Sequence, residues 1–249
     1  MSINSEKDLI NLRKIGRIVA RCLQYMQSKL EPGITTKELD ELGGTFLATH
    51  GAQSAPKLTY NFPGYTCISV NEEAAHGIPG SKVIKAGDLV NIDVSAELNG
   101  YFADTGGSAI VPPESKLYVK ICDVAQKALK RAMKEARAGA KLNRIGLAIE
   151  TEARTNGLTV IENLGSHGVG KALHEEPAFI PGYYDDNDSR VIRKNQVITI
   201  EPFISSGANE VYDKGDGWTL TTDSGIYTAQ FEHTLVITNG APLIMTLPN

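Results

Sequence analysis

The segment from Gly87 to Ser108 constrains the fold more than any other, because it predicts a long β-hairpin with a defined register. Leu89 to Glu97 is rich in branched apolar residues, and Asn99-Gly100 follows almost at once. Asn-Gly favours a type I′ turn, since both central positions of that turn need a positive φ. With this pair at the tip, Leu98 lies opposite Tyr101.

The same register brings two acidic side chains together on one face. Ser95 lies opposite Asp104, and Asp93 shares the face of Ser95 because side chains alternate along a strand. Asp93 and Asp104 are then diagonal neighbours, about 7–8 Å apart at the backbone. Two carboxylates on an apolar hairpin are costly, since like charges repel and burial removes solvation. The alternative is a solvated face on which the pair is only surface charge.

Composition limits the class of protein. Of the 249 residues 41% are hydrophobic, which is enough for a sizeable core without disulfides. Cys22, Cys67 and Cys122 form no C-x-x-C pair, which favours a reduced, cytoplasmic protein. No signal peptide is visible, and no apolar run reaches the ~18 residues that a membrane span needs. The net charge of −4 argues against a polyanionic partner held by bulk charge, so no nucleic-acid specificity is expected.

The first fifty residues predict two helices. Ser5 is a candidate N-cap for a helix with apolar residues at three- and four-residue spacing, and Pro32-Gly33 ends it. Thr35 and Glu38 form a capping box for a second helix, which Gly51 ends.

This pattern returns about 106 residues later, which indicates an internal repeat. The matching pairs are Ile15 with Ile121, Val19 with Ala125, Leu23 with Leu129, Gly33 with Gly139, Leu39 with Ile145 and Gly51 with Gly157. At an offset of 108, the apolar segment 89–93 matches 197–201, and both end in an acid. We therefore predict an α/β (α+β) fold with two pseudo-equivalent halves, about 1–111 and 117–249, joined near Pro112-Pro113. Residues 1–249 would form a single domain.

The second half also predicts several strands beyond the repeat. They are Thr159–Glu162, Asn195–Phe203, Trp218–Thr222, Tyr227–Thr238 and Leu243–Leu247.

A glycine-rich segment, Gly165 to Lys171, matches most of a phosphate-binding loop. Ala172 stands where the Mg²⁺-binding hydroxyl belongs, and Pro177 blocks the long helix that such a loop requires. We reject a nucleotide site. His167 lies among these glycines, where use as a ligand or catalyst is favoured over a structural role.

Two glutamates are further candidates. Glu201 closes an apolar strand, where a solvated carboxylate is also common. Glu232 is predicted in mid-strand, facing the same way as Gln230 and Thr234, where an acid needs a partner. The acidic segment 185–188 lacks the glycine and distal glutamate of a calcium loop and is interpreted as a solvated turn.

The candidates together suit a two-metal centre. They are Asp93, Asp104, His167, Glu201 and Glu232. Four carboxylates and a neutral imidazole would neutralise two divalent cations, and Mn²⁺, Fe²⁺, Co²⁺ and Zn²⁺ all remain open. Such a pair can hold a bridging hydroxide and polarise a carbonyl. No Ser-His-Asp or Cys-His pattern competes.

These residues lie in motifs that resemble the methionine aminopeptidases, in their short bacterial type I form. The motifs run in order along the chain: C-I-S-V-N-E-E-A-A-H-G-I-P, V-N-I-D-V with A-D-T, N-L-G-S-H-G-V-G with L-H-E-E-P, I-E-P-F, and Q-F-E-H-T. The resemblance implies the pita-bread fold, two pseudo-symmetric α-β halves around a central antiparallel sheet. It also implies removal of the initiator methionine when the second residue is small.

Site roles follow from the resemblance. Asp104 and Glu232 would bridge both metals, Asp93 would chelate one, and His167 and Glu201 would complete the other. Glu201 would also accept a proton from the bridging water. His76 would contact the scissile amide, and His174 would hydrogen-bond the substrate carbonyl or oxyanion; from residue chemistry alone, a structural role for either histidine stays open.

Similar proteins place Phe62, Cys67 and Trp218 in the pocket for the methionine side chain. For each of the three, core packing is the alternative interpretation. This chain has Leu173 where phenylalanine often precedes the histidine, which changes the pocket shape.

The expected partners are N-termini of nascent polypeptides, with a transient ribosome contact, no membrane and a monomeric, cytoplasmic enzyme. Two alternatives remain open at this stage. One is a dipeptidase or Xaa-Pro peptidase of the same fold, against which the absence of an extra N-terminal domain counts. The other is a non-catalytic peptide-binding protein, which would be expected to have lost metal ligands.

Overall fold

The computed structural model describes all residues, 1–249, in five helices and fifteen strands. The helices are α1 (Glu6–Ser28), α2 (Thr36–Thr49), α3 (Ala55–Tyr60), α4 (Lys116–Glu135) and α5 (Asn143–Thr155). The strands of the first half are β1 (Gln53–Ser54), β2 (Cys67–Val70), β3 (Glu73–Ala75), β4 (Leu89–Leu98) and β5 (Tyr101–Ile110). Those of the second half are β6 (Thr159–Val160), β7 (Gly165–Gly168), β8 (Glu175–Pro181), β9 (Val197–Ile200), β10 (Phe203–Ser205), β11 (Tyr212–Asp213), β12 (Leu220–Thr221), β13 (Thr228–Gln230), β14 (His233–Val236) and β15 (Leu243–Ile244).

The β4–β5 hairpin has the predicted register. Leu98 pairs with Tyr101 and Ser95 with Asp104. At the tip Asn99 has φ 55° and Gly100 has φ 78°, as a type I′ turn requires.

The strands form four sheets. One contains β1, β4 and β2 with β5 on β4, and a second runs β15-β14-β9-β7-β8. Two smaller sheets run β13-β10-β6 and β11-β12-β3. Gly107 bridges to Phe231, so β5 continues the antiparallel layer from the first half into the second.

Equivalent elements recur in the two halves. α1 and α2 correspond to α4 and α5, and the predicted capping box of Thr35 and Glu38 is present at the start of α2. Ser54 of β1 pairs with Ala96 of β4, and Val160 of β6 pairs with Ile204 of β10, which repeats the arrangement. The halves are therefore pseudo-symmetric.

Each half has its own hydrophobic core. α1 packs on β4 and β5, while α4 packs on β10 and β13. The core of the first half also includes Val197 and Val236 from the second half, and the core of the second half includes Leu89 from the first half. This exchange joins the halves through buried apolar contact.

Two predicted strands are interrupted in the structure. The segment Asn195–Phe203 divides at Glu201-Pro202 into β9 and β10, which belong to different sheets. Pro202 has no N–H to donate to a ladder, so pairing stops there. The segment Tyr227–Thr238 likewise divides into β13 and β14, and the prediction that Glu232 lies in mid-strand is wrong.

Three other strands are shorter than predicted. Thr159–Glu162 is reduced to β6, Trp218–Thr222 to β12 and Leu243–Leu247 to β15. No helix combines the length and apolar character needed to cross a membrane.

Candidate metal centre and substrate cavity

Hydrogen bonds between the two halves fix the backbone of the acidic residues. The N–H of Asp104 donates to Oγ1 of Thr234, whose hydroxyl donates back to the Asp104 carbonyl. The N–H of Glu232 donates to the Gly106 carbonyl, and its own carbonyl accepts from Thr105 Oγ1 at 2.8 Å. The interruption between β13 and β14 thus turns the Glu232 side chain toward the hairpin acids.

His167 and Glu201 are placed by adjacent strands in the same way. The His167 N–H donates to Thr199 Oγ1 at 3.1 Å, and the Glu201 N–H donates to Ser166 Oγ at 2.9 Å. The Nδ1 of His167 lies 2.9 Å from the Gly168 carbonyl, an acceptor only, so Nδ1 carries the proton. The lone pair of Nε2 is therefore free to bind a cation.

The five predicted ligands converge. Ligand atoms of Asp104, His167 and Glu232 all lie within 4.8 Å of one another. His167 Nε2 is 3.4 Å from Glu201 Oε1 and 3.9 Å from Asp104 Oδ2. Asp93 lines the same cavity as Asp104, His167 and Glu201.

Several oxygens in this cluster are buried without a hydrogen-bond partner. They are Oδ1 of Asp93, Oδ1 of Asp104 and Oε1 of Glu232. Buried polar atoms are nearly always paired, and buried carboxylates more strictly so. An acceptor-only cluster around a free imidazole nitrogen fits divalent cations, which satisfy such atoms without supplying protons.

The pKa shifts of the cluster residues also fit a site for divalent cations. Burial, reinforced by repulsion from neighbouring carboxylates, raises the pKa of Asp104, Glu201 and Glu232 well above the usual values. Burial raises the pKa of Asp93 to about 6. Burial, with the nearby His174 ring, lowers the pKa of His167 to about 3, so the imidazole is neutral.

These pKa shifts predict that the stabilisation of the fold by bound metal depends on pH. Because their pKa values are raised, these four carboxyls together bind more protons in the metal-free folded protein than in the unfolded chain above pH ~4. Their contribution to the free energy of unfolding therefore falls as pH rises from about 4 through the raised values. Bound cations remove this loss, so the Tm difference between metal-loaded and EDTA-treated protein is expected to grow from pH 5 to pH 8. Surface acids contribute equally to both samples, and a difference that stays constant would contradict the prediction.

Beside the cluster lies a cavity of about 240 Å³. It is lined by the predicted residues Phe62, Cys67, His76, His174 and Trp218, and by Leu173. Trp218 meets Phe62 edge-on, with ring centroids 5.2 Å apart. Burial raises the pKa of the Cys67 thiol well above its usual value, so that side chain stays uncharged and apolar.

Tyr60 also lines the cavity and was not identified from the sequence. Its hydroxyl oxygen is 2.6 Å from Nδ1 of His174. No motif or periodicity points to Tyr60, because it closes the short helix α3 and approaches His174 only through the tertiary fold.

Glu73 is a second residue that sequence patterns missed. Its buried carboxylate accepts from Lys82 Nζ at 2.5 Å, Lys214 Nζ at 2.6 Å and the Val70 N–H at 2.9 Å. Burial alone would raise the pKa of Glu73, but these hydrogen bonds outweigh it and the net shift is downward. Through β3 and β12 the residue ties the segment carrying His76 to the loop carrying Trp218.

We expect Glu73→Gln to lower the free energy of unfolding by about 1–2 kcal/mol, because two half-exposed ammonium groups lose their shared counter-charge. Urea denaturation measures the loss. Trp218 is the only tryptophan, so tryptophan fluorescence reports changes in the loop that carries it. Glu41→Gln is the matched control, as Glu41 faces Lys37 across 3.9 Å at the exposed surface. Equal stability of the two variants would contradict the prediction.

The chain is similar to known proteins in both sequence and structure. The family described as metallopeptidase family M24 matches residues 10–239. "Methionine aminopeptidase 2" of Bacillus subtilis (strain 168) is 48% identical, covering 99% of each chain. "Methionine aminopeptidase" of Staphylococcus epidermidis (strain ATCC 12228) is also 48% identical, over 99% of this chain and 98% of the relative.

Solved structures give the same result. The methionine aminopeptidase of Rickettsia prowazekii superposes with a TM-score of 0.94 at 35% identity, covering 99% of this chain and 100% of that one. A prolidase from Pyrococcus furiosus, at 22% identity and a TM-score of 0.81, shares the fold; this chain covers 66% of its length. The expected pita-bread fold is confirmed. The chain belongs to the methionine aminopeptidases of metallopeptidase family M24.

Proposed function

We propose that the protein is a metal-dependent aminopeptidase that removes N-terminal methionine when the second residue is small. The observation that carries the proposal is the set of unpartnered, buried carboxylate oxygens around the free Nε2 of His167, placed at the end of an apolar cavity. At about 240 Å³ the cavity is below the ~300–1,000 Å³ typical of ligand pockets, which suits one side chain rather than a longer ligand.

Asp93, Asp104, His167, Glu201 and Glu232 would hold two divalent cations. Bound there, the cations would supply a water of lowered pKa and polarise the scissile carbonyl. Mn²⁺, Fe²⁺, Co²⁺ and Zn²⁺ all suit four carboxylates and one imidazole.

The protein's own groups then position the substrate and move protons. Phe62, Cys67 and Trp218 would enclose the methionine side chain and exclude water. Glu201 would accept a proton from the attacking water, because its carboxylate lies beside His167 at the end of β9. His76 and His174 line the same cavity; burial lowers the pKa of both imidazoles, so each reaches the peptide as a neutral group.

His76 would contact the scissile amide. Its φ of 53° is a conformation that non-glycine residues rarely adopt, and the neighbouring Gly77 N–H is held by Ser69 Oγ at 3.0 Å. His174 would donate to the carbonyl oxygen as negative charge develops on it.

Anaerobic reconstitution of metal-stripped protein with each divalent metal, assayed on Met-Ala-Ser and on Ala-Pro, tests the proposal. We expect hydrolysis of Met-Ala-Ser, and the most active metal identifies the cofactor. Faster cleavage of Ala-Pro would favour an Xaa-Pro peptidase. Calorimetry showing no metal binding stronger than millimolar would favour a non-catalytic peptide-binding protein.

We further propose that residues 1–249 work as one catalytic domain, since Asp93 and Asp104 come from the first half and His167, Glu201 and Glu232 from the second. The substrates would be N-termini of nascent chains in the cytoplasm, met by a monomer in transient contact with the ribosome. Sedimentation of the purified protein alone and with ribosomes tests both the monomer and the contact.

A further inference from the structure

The hydroxyl of Tyr60 is the only hydrogen-bond partner of the His174 ring within the protein. Its oxygen lies 2.6 Å from Nδ1, and the two rings are 5.6 Å apart at an interplanar angle of 42°. The Nε2 of His174 has no protein partner, and the side chain lines the cavity beside the metal cluster. One nitrogen is thus held by the protein, while the other is free to meet a substrate.

Tyr60 is itself held in place. It closes α3, whose first turn is capped by Ser54: the Ser54 Oγ accepts the Lys57 N–H and donates to the Tyr65 carbonyl at 2.7 Å. Asn61 then ends the helix in the left-handed conformation, with φ 58°. The hydroxyl is therefore presented to His174 by a hydrogen-bonded backbone, although the Tyr60 residue is 43% exposed.

A neutral imidazole carries one proton, and its location depends on the partner of the other nitrogen. A phenol keeps its proton at neutral pH and has it available to donate. When that proton is donated to Nδ1, the imidazole proton must lie on Nε2. The opposite tautomer would turn an Nε2 lone pair toward the substrate's carbonyl oxygen, which is also an acceptor.

We infer that Tyr60 is a positioning residue: its hydroxyl donates to Nδ1 of His174 and holds the imidazole as the Nε2–H tautomer that can hydrogen-bond the substrate carbonyl. The expected effect of Tyr60 on turnover rests on the proposed function. The tautomer itself is a property of the protein without substrate. The centroid of the His174 ring also lies 4.2 Å from that of the His167 ring.

The test uses full-length protein with ¹⁵N-labelled histidine, loaded with diamagnetic Zn²⁺. The chain has only five histidines, and the signals of His174 are assigned by their absence from His174→Gln. We expect the wild-type His174 to be the Nε2–H tautomer and Tyr60→Phe to give a mixture of both. Tyr65→Phe is the control, because the Tyr65 ring lies against Lys57 and its hydroxyl makes no hydrogen bond.

Kinetics on Met-Ala-Ser give the second readout. Tyr60→Phe is expected to lower kcat about tenfold while KM changes by less than about twofold, as for an interaction made in the transition state. An Nδ1–H tautomer in wild-type protein would overturn the inference, even if the variant did not fold. An unchanged tautomer and kcat in a folded Tyr60→Phe would overturn it as well. Inactive wild-type protein with the expected tautomer would instead reject the proposed function.

Discussion

Glu232→Gln is expected to abolish metal binding and peptide hydrolysis together. The substitution keeps the shape of the side chain but replaces a buried, unpartnered carboxylate oxygen with an uncharged amide. Loss of a residue that only hydrogen-bonds a metal ligand lowers metal affinity by roughly 10–100-fold. We expect a larger fall here, because Glu232 would itself be a ligand. Asp104→Asn should behave alike, because Asp104 Oδ1 is also buried without a partner. Calorimetric titration with Mn²⁺ measures the affinity.

Folding must be separated from metal loss in this experiment. The backbone hydrogen bonds that join Glu232 to Gly106 and Thr105 do not involve its carboxylate, so the fold should persist. Removing one of several mutually repelling charges should also leave the Tm of the metal-free variant at or above that of metal-free wild type. Glu41→Gln, at an exposed position, is the matched control. Wild-type metal affinity in either site variant would contradict the ligand assignment.

His174→Ala is expected to give the complementary result, with metal binding retained and turnover lowered by ~10²-fold or more. The His174 ring hydrogen-bonds Tyr60 and not the carboxylates that would hold the metal. Its loss therefore removes a donor to the carbonyl oxygen without removing a ligand. Single-turnover kinetics and metal titration on the same sample measure both quantities.

The control for this variant is His50→Ala. His50 follows α2, and its Nδ1 lies 2.8 Å from the Phe46 carbonyl, in the helix and away from the cavity. Its removal should leave turnover unchanged. Loss of metal binding in His174→Ala would show that this histidine supports the metal centre and would contradict its assignment to the substrate.

Local chemistry made much of the fold predictable from sequence. The Asn99-Gly100 turn set the register that brings Asp93 and Asp104 to one face, and the capping box of Thr35 and Glu38 located the start of α2. These features depend on a few consecutive residues. The pseudo-symmetry was visible for a similar reason, because each half needs the same apolar face on its helix pair.

The strand interruptions at Glu201 and Glu232 could not be predicted from local sequence. Both segments have continuous strand character, and the change from one sheet to another is decided by partners far along the chain. Tyr60 and Glu73 were missed because their contacts, with His174 and Lys214, are formed only in the tertiary structure.

The hydrogen bonds between Asp104 and Thr234 join positions 130 residues apart. A growing polypeptide that stops anywhere before β14 therefore holds some of the acids but lacks the strand that orients them. Cation uptake should begin only after the last strands have emerged and paired, which makes it a late event in biosynthesis.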